Sequence, residues 1–236
     1  MKNIRNDATS NYCSFKTCKE EKNKKQGSIT LTKLKPSNLL EKKFNIHVDQ
    51  KESFRKYINE LCKWNSHTNL VGKSTLIDPY NSHILDCLQI TKFIKNKKKS
   101  IIDLGTGAGL PGVVLAIVNY SNVFLIDSNI KKIKFLKHIA KELNLSFKIF
   151  YSRIEDFKNL KFDYIVSRAL SGLDKLLFYS IKLSHNETKM IFLKGEKILS
   201  EIETAEKLWK FDYTLRDSIS DTRGKIILLE NLRKND

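Results

Sequence analysis

The densest group of chemically informative residues in the chain is Asp103-Leu104-Gly105-Thr106-Gly107-Ala108-Gly109-Leu110-Pro111-Gly112. It follows the apolar pair Ile101 and Ile102 and leads into a second apolar run at 113–118. Closely spaced glycines let a backbone turn with positive φ and let a ligand approach the main chain. Pro111 suits the first turn of a helix, where its missing N–H costs nothing. A strand, turn and helix of this kind bring a helix N-terminus to the carboxyl end of a strand, where open α/β sheets bind ligands.

Two cofactor readings fit this loop, besides an accidental glycine-rich turn. Gly107, Gly109 and Gly112 spell the dinucleotide fingerprint GxGxxG, with Asp127 about 20 residues further on. Gly105, Gly107 and Gly109 behind Asp103 spell the acidic GxGxG pattern of S-adenosylmethionine (AdoMet) methyltransferases. The ligands differ in charge. A pyrophosphate would be repelled by an acid at the strand end, whereas a sulfonium with an amino-acid ammonium would be attracted. Asp127 closes the next apolar run and can accept both hydroxyls of a ribose, through charged hydrogen bonds of about 1.5–3 kcal/mol each. The 109 residues after Asp127 are consumed by further strand and helix patterns, which leaves no second substrate domain of the sort many dehydrogenases use. No Tyr-x-x-x-Lys or His-Asp arrangement is placed to serve a hydride transfer. AdoMet is the favoured cofactor.

Methyl transfer is an in-line displacement from an activated sulfonium, so alignment can supply much of the barrier reduction, up to about 7–11 kcal/mol. Methyl acceptors differ in how the nucleophile is prepared. Exocyclic base amines are commonly handled by an Asn-Pro-Pro-aromatic turn after the fourth strand, and here that position reads Ser167-Arg168-Ala169. Pyrimidine C5 needs a cysteine nucleophile, and none lies near the ends of strands four to six. Guanine N7 has a free lone pair and needs no base, and arginine forks onto the O6/N7 edge of guanine elsewhere. Arg168 is therefore the candidate for positioning guanine. It could instead order the cofactor, or form a structural bridge to Asp163 or Glu155. No residue is assigned as a chemical catalyst. The four cysteines, Cys13, Cys18, Cys62 and Cys87, show no CxxC pair and no zinc spacing with histidine, so no metal is expected.

The elements that must hold these residues follow from periodicity. Phe54, Tyr57, Ile58, Leu61 and Trp64 make one helical stripe, and His83, Ile84, Cys87, Leu88, Ile90 and Phe93 suggest a second helix. From Ile101 on, short apolar runs alternate with helical stretches. Strands are expected at 101–104, 123–126, 147–151, 164–166 and 190–193, and helices at 113–118, 130–139, 173–183 and 198–209. Two last strands, near 213–215 and 226–229, have no helix between them and should form an antiparallel hairpin. Alternation implies parallel strands with right-handed crossovers. The fold class is α/β, a Rossmann-like, seven-stranded, mostly parallel sheet with a helical N-terminal cap. The expected organisation is a basic, low-complexity, disordered tail over 1–43, the cap over 44–99 and an AdoMet-binding core over 100–236.

Composition narrows the partners. The 236 residues are 41% hydrophobic, enough for one substantial core. The formal net charge is +17, from 43 Lys+Arg against 26 Asp+Glu, which favours polyanions such as nucleic acid. A lysine-rich codon bias would produce the same balance. Residues 1–43 hold 11 of the basic and 4 of the acidic residues and lack apolar periodicity. No stretch is apolar enough to cross a membrane, and no secretory signal is visible, so a cytoplasmic protein without a membrane partner is expected.

Several blocks then coincide: Lys63-Trp64-Asn65, Asn69-Leu70, His83-Ile84-Leu85-Asp86, the glycine loop, Asp127-Ser128, Ser152-Arg153-Ile154-Glu155, Ser167-Arg168-Ala169 and Leu193-Lys194-Gly195. In this order the chain, from about residue 45 on, resembles the bacterial glucose-inhibited division protein B family. Its members are guanine-N7 methyltransferases of small-subunit (16S) ribosomal RNA, and they have the class I AdoMet methyltransferase fold. The resemblance implies that Gly105 and Leu110 line the AdoMet loop. It also implies that Ile154 and Glu155 lie beside the adenine and that Arg168 faces cofactor and substrate, alongside Gly107 and Asp127 from the loop pattern. His83 and Asp86 belong to a cap block and read equally well as a buried pair tying cap to core. Small-subunit ribosomal RNA, or the assembling 30S subunit, is the implied partner of a monomer. The alternatives are an AdoMet enzyme acting on another RNA or a small molecule, and an RNA-binding module without catalysis. Arg223 lies in an ambiguous register, and no role is carried onto it.

Overall fold

The computed structural model describes residues 43–158 and 160–235. The basic tail expected over 1–43 lies, except for Lys43, outside the described residues.

The first long element is helix α1 (Val48–Thr68). Its stripe of Phe54, Tyr57, Ile58 and Leu61 is buried. At its start the Gln50 side chain accepts the His47 backbone N–H at 3.0 Å. It stops at Asn69, which takes the left-handed conformation (φ 47°) favoured at helix ends. The Asn65 amide then holds the next turn, donating to the Val71 carbonyl at 3.1 Å and accepting the Val71 N–H at 2.9 Å.

The expected second helix is not one regular helix. It is a rod of three windings: a π-helical turn at Tyr80–Leu85, the short helix α2 (Asp86–Leu88) and a 3-10 stretch at Gln89–Phe93. The π turn and the first residue of α2 together present Ser82, His83 and Asp86 to one arginine, Arg168. Apolar periodicity does not distinguish the three windings.

The sheet is seven-stranded. Its strands are β1 (Ile101–Leu104), β2 (Val123–Asp127), β3 (Lys148–Tyr151), β4 (Phe162–Arg168), β5 (Ser184–Lys194), β6 (Trp209–Asp217) and β7 (Lys225–Lys234). The helices between them are α3 (Gly112–Ile117), α4 (Ile130–Glu142), α5 (Leu173–Ile181) and α6 (Ile198–Ala205). Strand order is β3-β2-β1-β4-β5-β7-β6. The β1–β2, β1–β4, β2–β3 and β4–β5 pairs are parallel; β7 runs antiparallel to both β5 and β6. This is the architecture expected. Strands β1 and β2 are buried at every position, as the central strands of a sheet covered on both faces must be. Several boundaries differ from expectation, and β7 runs on to Lys234. Strand β5 begins at Ser184, because a register shift near Phe162 lets an earlier polar stretch pair with β4. Helix α6 ends at Ala205, and Trp209 opens β6 opposite Lys234, where its ring is buried.

Two apolar clusters cover the two faces. One packs α1, the rod, α3 and α4 on one face and the other packs α5 and α6 on the opposite face, each taking different residues of β1, β2, β4, β5 and β7. The helical segment before the sheet therefore has no core of its own. Sequence order reverses between β1 and β4, the switch point outside which open α/β sheets hold ligands. The glycine loop leaves the carboxyl end of β1, and Arg168 ends β4 beside it.

Candidate functional site: a glycine loop and an arginine clasp

The loop is organised by its own first residue. Asp103 is fully buried, and its Oδ2 accepts the Thr106 hydroxyl at 2.6 Å and the Gly112 N–H at 2.9 Å. One carboxylate oxygen thus ties the turn to the first residue of α3. Burial pushes the Asp103 carboxyl up to about 7, against the opposing pull of those two donors. Its Oδ1 is buried without a hydrogen-bond partner. The acid expected to face a cationic ligand is turned inward, because the loop needs an acceptor there. A second tie comes from far away: the Tyr57 hydroxyl of α1 donates to the Ala108 carbonyl at 2.8 Å. Tyr57 read only as a member of an apolar stripe, and a tyrosine at a fully buried position was its one signal. Leu110 is buried and joined to Pro111 by a cis peptide bond.

Asp127 ends β2, nearly buried. Its Oδ2 accepts the Gly107 N–H at 2.9 Å and its Oδ1 the Asn129 N–H at 2.8 Å, with Lys132 Nζ 3.7 Å from Oδ2. The structure thus joins Gly107 and Asp127, two residues paired by spacing alone in the sequence. The space above the loop is uneven. A Cβ on Gly107 (φ 60°) would meet nothing closer than 3.8 Å, whereas one on Gly105 (φ 63°) would lie 2.3 Å from Leu170 Cδ1. Leu170, from the loop after β4, is the roof over Gly105, and sequence reasoning did not single it out.

Ile154 and Glu155 follow β3, which pairs with β2 so that Tyr151 stands opposite Asp127. Ile154 is buried. Glu155 Oε1 accepts the Tyr179 hydroxyl at 2.9 Å. Its own backbone N–H and Tyr179 hold the Glu155 carboxyl below the usual range.

Arg168 is clasped by the rod. Its Nη1 donates to the Ser82 carbonyl at 2.8 Å and to Asp86 Oδ2 at 2.9 Å, and its Nη2 lies 2.8 Å from His83 Nδ1. The bridges considered from the sequence do not form: Asp163 pairs with Lys99 and Ser100, and Glu155 with Tyr179. The His83–Asp86 tie between cap and core is likewise indirect, with both side chains gripping Arg168. Sequence distance hid this, since 82 residues separate Arg168 from Asp86.

The clasp fixes the state of His83. The Thr75 hydroxyl donates to the Gly72 carbonyl at 2.6 Å, so at 3.0 Å from His83 Nε2 it is an acceptor. The imidazole is therefore neutral with its proton on Nε2, and Nδ1 offers a lone pair to the arginine. Burial, then the Arg168 charge, pushes the His83 pKa down to about 3. Behind the clasp, Asp86 Oδ1 accepts from Ser220 Oγ at 2.6 Å and Gln89 Nε2 at 3.0 Å. Buried Gln89 also bonds Ser218 Oγ and the Ile219 N–H. The loop joining β6 to β7 is so docked on the rod.

On the clasp side lies a cleft of about 850 Å³, lined by Thr75, Arg168, Lys194, Ser220, Arg223 and Lys225 among others, and by no residue of the glycine loop. Lys194, quoted above without a role, is nearly buried. It pairs with Glu201 at 2.6 Å and donates to the Ser171 carbonyl at 2.7 Å, pinning the loop that carries Leu170. Arg223 is exposed and pairs with Asp221 at 3.6 Å. Cys87 is fully buried, and burial pushes its thiol up, away from thiolate chemistry. Among the described residues no group of three or more His, Cys, Asp or Glu could hold a metal ion.

Residues 50–228 match the family model "GidB: rRNA small subunit methyltransferase G". The chain belongs to this family. Among curated proteins, Ribosomal RNA small subunit methyltransferase G of Rickettsia prowazekii is 37% identical over 183 residues, 78% of this chain and 95% of that protein. Its namesake in Rickettsia felis is 36% identical over 187 residues, 79% of this chain and 95% of that protein. Two solved structures show the same fold. A ribosomal protein L11 methylase from Lactobacillus delbrueckii subsp. bulgaricus has a TM-score of 0.52 at 20% identity, covering 62% of this chain and 76% of that one. MtNAS in complex with S-adenosylmethionine has a TM-score of 0.54 at 14% identity, covering 77% and 71%. The sheet is thus of the class I methyltransferase kind. Within the GidB family match fall the loop, Asp127, the Ile154–Glu155 pair, the clasp and most of the cleft wall.

The residues present fit the ribose half of AdoMet. Gly107 leaves its backbone open beside the Asp127 carboxylate, whose two oxygens each keep acceptor capacity. At Gly105 the Leu170 side chain closes off the same kind of approach.

Proposed function

We propose that this chain transfers the methyl group of AdoMet to N7 of a guanine in small-subunit ribosomal RNA. The observation that carries the reading is a glycine loop tied to the carboxylates of Asp103 and Asp127, beside a clasped arginine at one switch point. Gly105, Gly107, Leu110, Asp127, Ile154 and Glu155 would hold the cofactor, Asp127 by accepting ribose hydroxyls and Ile154 by packing on the adenine. AdoMet, when bound, supplies an activated methyl. The protein's task is then to orient the acceptor and exclude water. Arg168 is the residue for this, held in position by His83, Asp86 and the Ser82 carbonyl. N7 suits the site because it needs no base. His83 cannot act as one, with Nδ1 committed to Arg168 and the Nε2 proton to Thr75.

The expected organisation into a tail, a cap over 44–99 and a core over 100–236 goes with this reading, as does a monomer working in the cytoplasm on the 30S subunit. The test is single-turnover transfer of labelled methyl to small subunits and to naked ribosomal RNA, with N7-methylguanine located by mass spectrometry. Transfer to guanine N7 in either substrate is expected. Binding of AdoMet with methylation of neither would overturn the substrate, and binding of NAD in its place would overturn the cofactor.

A further inference from the structure

Helix α4 stands out by what its lysines lack. Lys131, Lys134, Lys137 and Lys141 are all exposed, and at 100° per residue they fall in a sector of about 120° on the outer face. None has a carboxylate within 4 Å among the described residues, in contrast to Arg55, Lys63, Lys99, Lys194 and Lys225, each paired with an acid. The acids nearby are few. Glu142 ends the helix, and Glu60 of α1 is already shared by Lys63 and by His138, which sits in the same sector at 2.8 Å. A lysine-rich chain would place lysines on any outer face. It would not by itself leave four in a row without i,i+3 or i,i+4 acids, the arrangement that usually supports an exposed helix. Like charges at these spacings repel, so the stripe costs the free protein stability unless a polyanion neutralises it.

Position supplies the second argument. Asn129, two residues past Asp127, caps helix α4, so one end of the stripe adjoins the cofactor loop. Its 13 residues carry it about 20 Å away. That distance spans several phosphates of a nucleic-acid strand.

We infer that the outer face of α4 is a docking surface for the phosphate backbone of the RNA substrate. It takes the strand flanking the target base and leads it to the cofactor edge. This inference rests on the ribosomal RNA reading above and adds the surface that holds the RNA. Lys132 is outside the stripe, turned toward Asp127 and Gly107, and belongs to the cofactor side.

The test compares two charge-matched variants of the full chain. In the first, Lys131, Lys134, Lys137 and Lys141 become Glu. In the second, Lys95, Lys98, Lys207 and Lys234, exposed elsewhere, become Glu. Binding to a small-subunit ribosomal RNA fragment is measured from 50 to 300 mM salt, with AdoMet affinity and circular dichroism in parallel. Each phosphate contact contributes a slope of about −0.7 to −0.9. The first variant should bind at least about tenfold more weakly at low salt, with a slope shallower by about 3, and bind AdoMet normally. The second should stay close to wild type. Equal losses in both variants, or an unchanged slope in the first, would overturn the surface while leaving the methyltransferase reading intact. Failure of the wild-type chain to bind or methylate the RNA would instead strike the reading itself. Should the first variant unfold, changing both sets of four lysines to Gln halves the charge change and keeps the comparison matched.

Discussion

The glycine loop and the arginine clasp lie at the ends of neighbouring strands, yet they are built in opposite ways. The loop is held mostly by partners close in sequence: Asp103 reaches 3 residues to Thr106 and 9 to Gly112, and Asp127 reaches 2 to Asn129 and 20 to Gly107. The clasp is held by partners 82, 85 and 86 residues from Arg168, and the loop behind it by contacts 129 to 139 residues apart. A locally wired site forms once its strand and helix form. A site wired at long range forms only when the whole sheet has closed. Damage should follow the same division: the loop should fail in cofactor affinity and fold, the clasp in turnover and in the docking of the rod.

The largest effect is expected at Asp103. Asp103→Ala leaves the Thr106 hydroxyl and the Gly112 N–H buried without an acceptor, at about 1–3 kcal/mol each. Urea unfolding should show a loss of about 2–6 kcal/mol, and Asp103→Asn, which keeps one acceptor, clearly less. Equal losses would mean that the charge rather than the acceptor matters.

On the other side of the comparison, Arg168→Ala uncovers Asp86 and empties the clasp. Breaking a buried pair costs about 3–5 kcal/mol, and the partial exposure of both side chains places this one at about 2–3 kcal/mol. Methyl transfer should fall at least a hundredfold, since a misplacement of about 1 Å costs that much, while affinity for bulk RNA barely changes. Arg168→Lys should rescue poorly, because an ammonium cannot serve three acceptors arranged around a planar fork. Near-normal turnover in Arg168→Ala would leave the clasp a purely structural tie.

Asp127→Ala should act on cofactor first, weakening AdoMet binding by about 1.5–3 kcal/mol in calorimetry. Circular dichroism should stay native, because the freed Gly107 and Asn129 N–H groups are near the surface. A collapse of the fold would show that the loop is wired through Asp127 as much as through Asp103.

A pH series separates the two regions again. The His83 pKa is lower in the folded chain, about 3, than its unfolded value near 6.5. The stability that this neutral state represents is present above pH 6.5 and is lost as pH falls toward 3, with a slope of up to about 1.4 kcal/mol per unit. Asp103 works in the other sense. Its raised pKa, about 7, contributes stability that is whole below pH 3.8 and lost as pH rises through 7. His83→Gln keeps an acceptor for Arg168 and removes the titration, so it should unfold with a flatter acid limb than wild type while the Asp103 contribution stays the same. Identical acid limbs would place a charged imidazole in the native clasp. The smallest effect belongs to Ser220→Ala, which removes one donor from Asp86 and should cost about 1 kcal/mol.

These contrasts explain what could be read before the structure. The seven strands, their alternation with helices and the closing hairpin were legible because short continuous apolar runs and helical stripes are local signals. The loop was legible for the same reason, its glycines lying within ten residues of Asp103 and the second acid, Asp127, 20 residues past Gly107. Even there, the inward turn of Asp103 was not, since spacing places a carboxylate at a strand end without saying which way it faces. The boundaries at Ser184 and Trp209 shifted because pairing with β4 and β7 overrode local preference.

By itself, the sequence determined a doubly covered α/β sheet, a glycine loop at its switch point, the family, and a surplus of positive charge. The tertiary structure alone decided which distant groups meet. It gave Tyr57 to the loop, set Arg168 among Ser82, His83 and Asp86, fixed the proton of His83 and laid Leu170 over Gly105. The reason is the same in each case. These are contacts between groups 50 or more residues apart or between faces of different elements, and they have no counterpart in the order of neighbouring residues until the sheet brings them together.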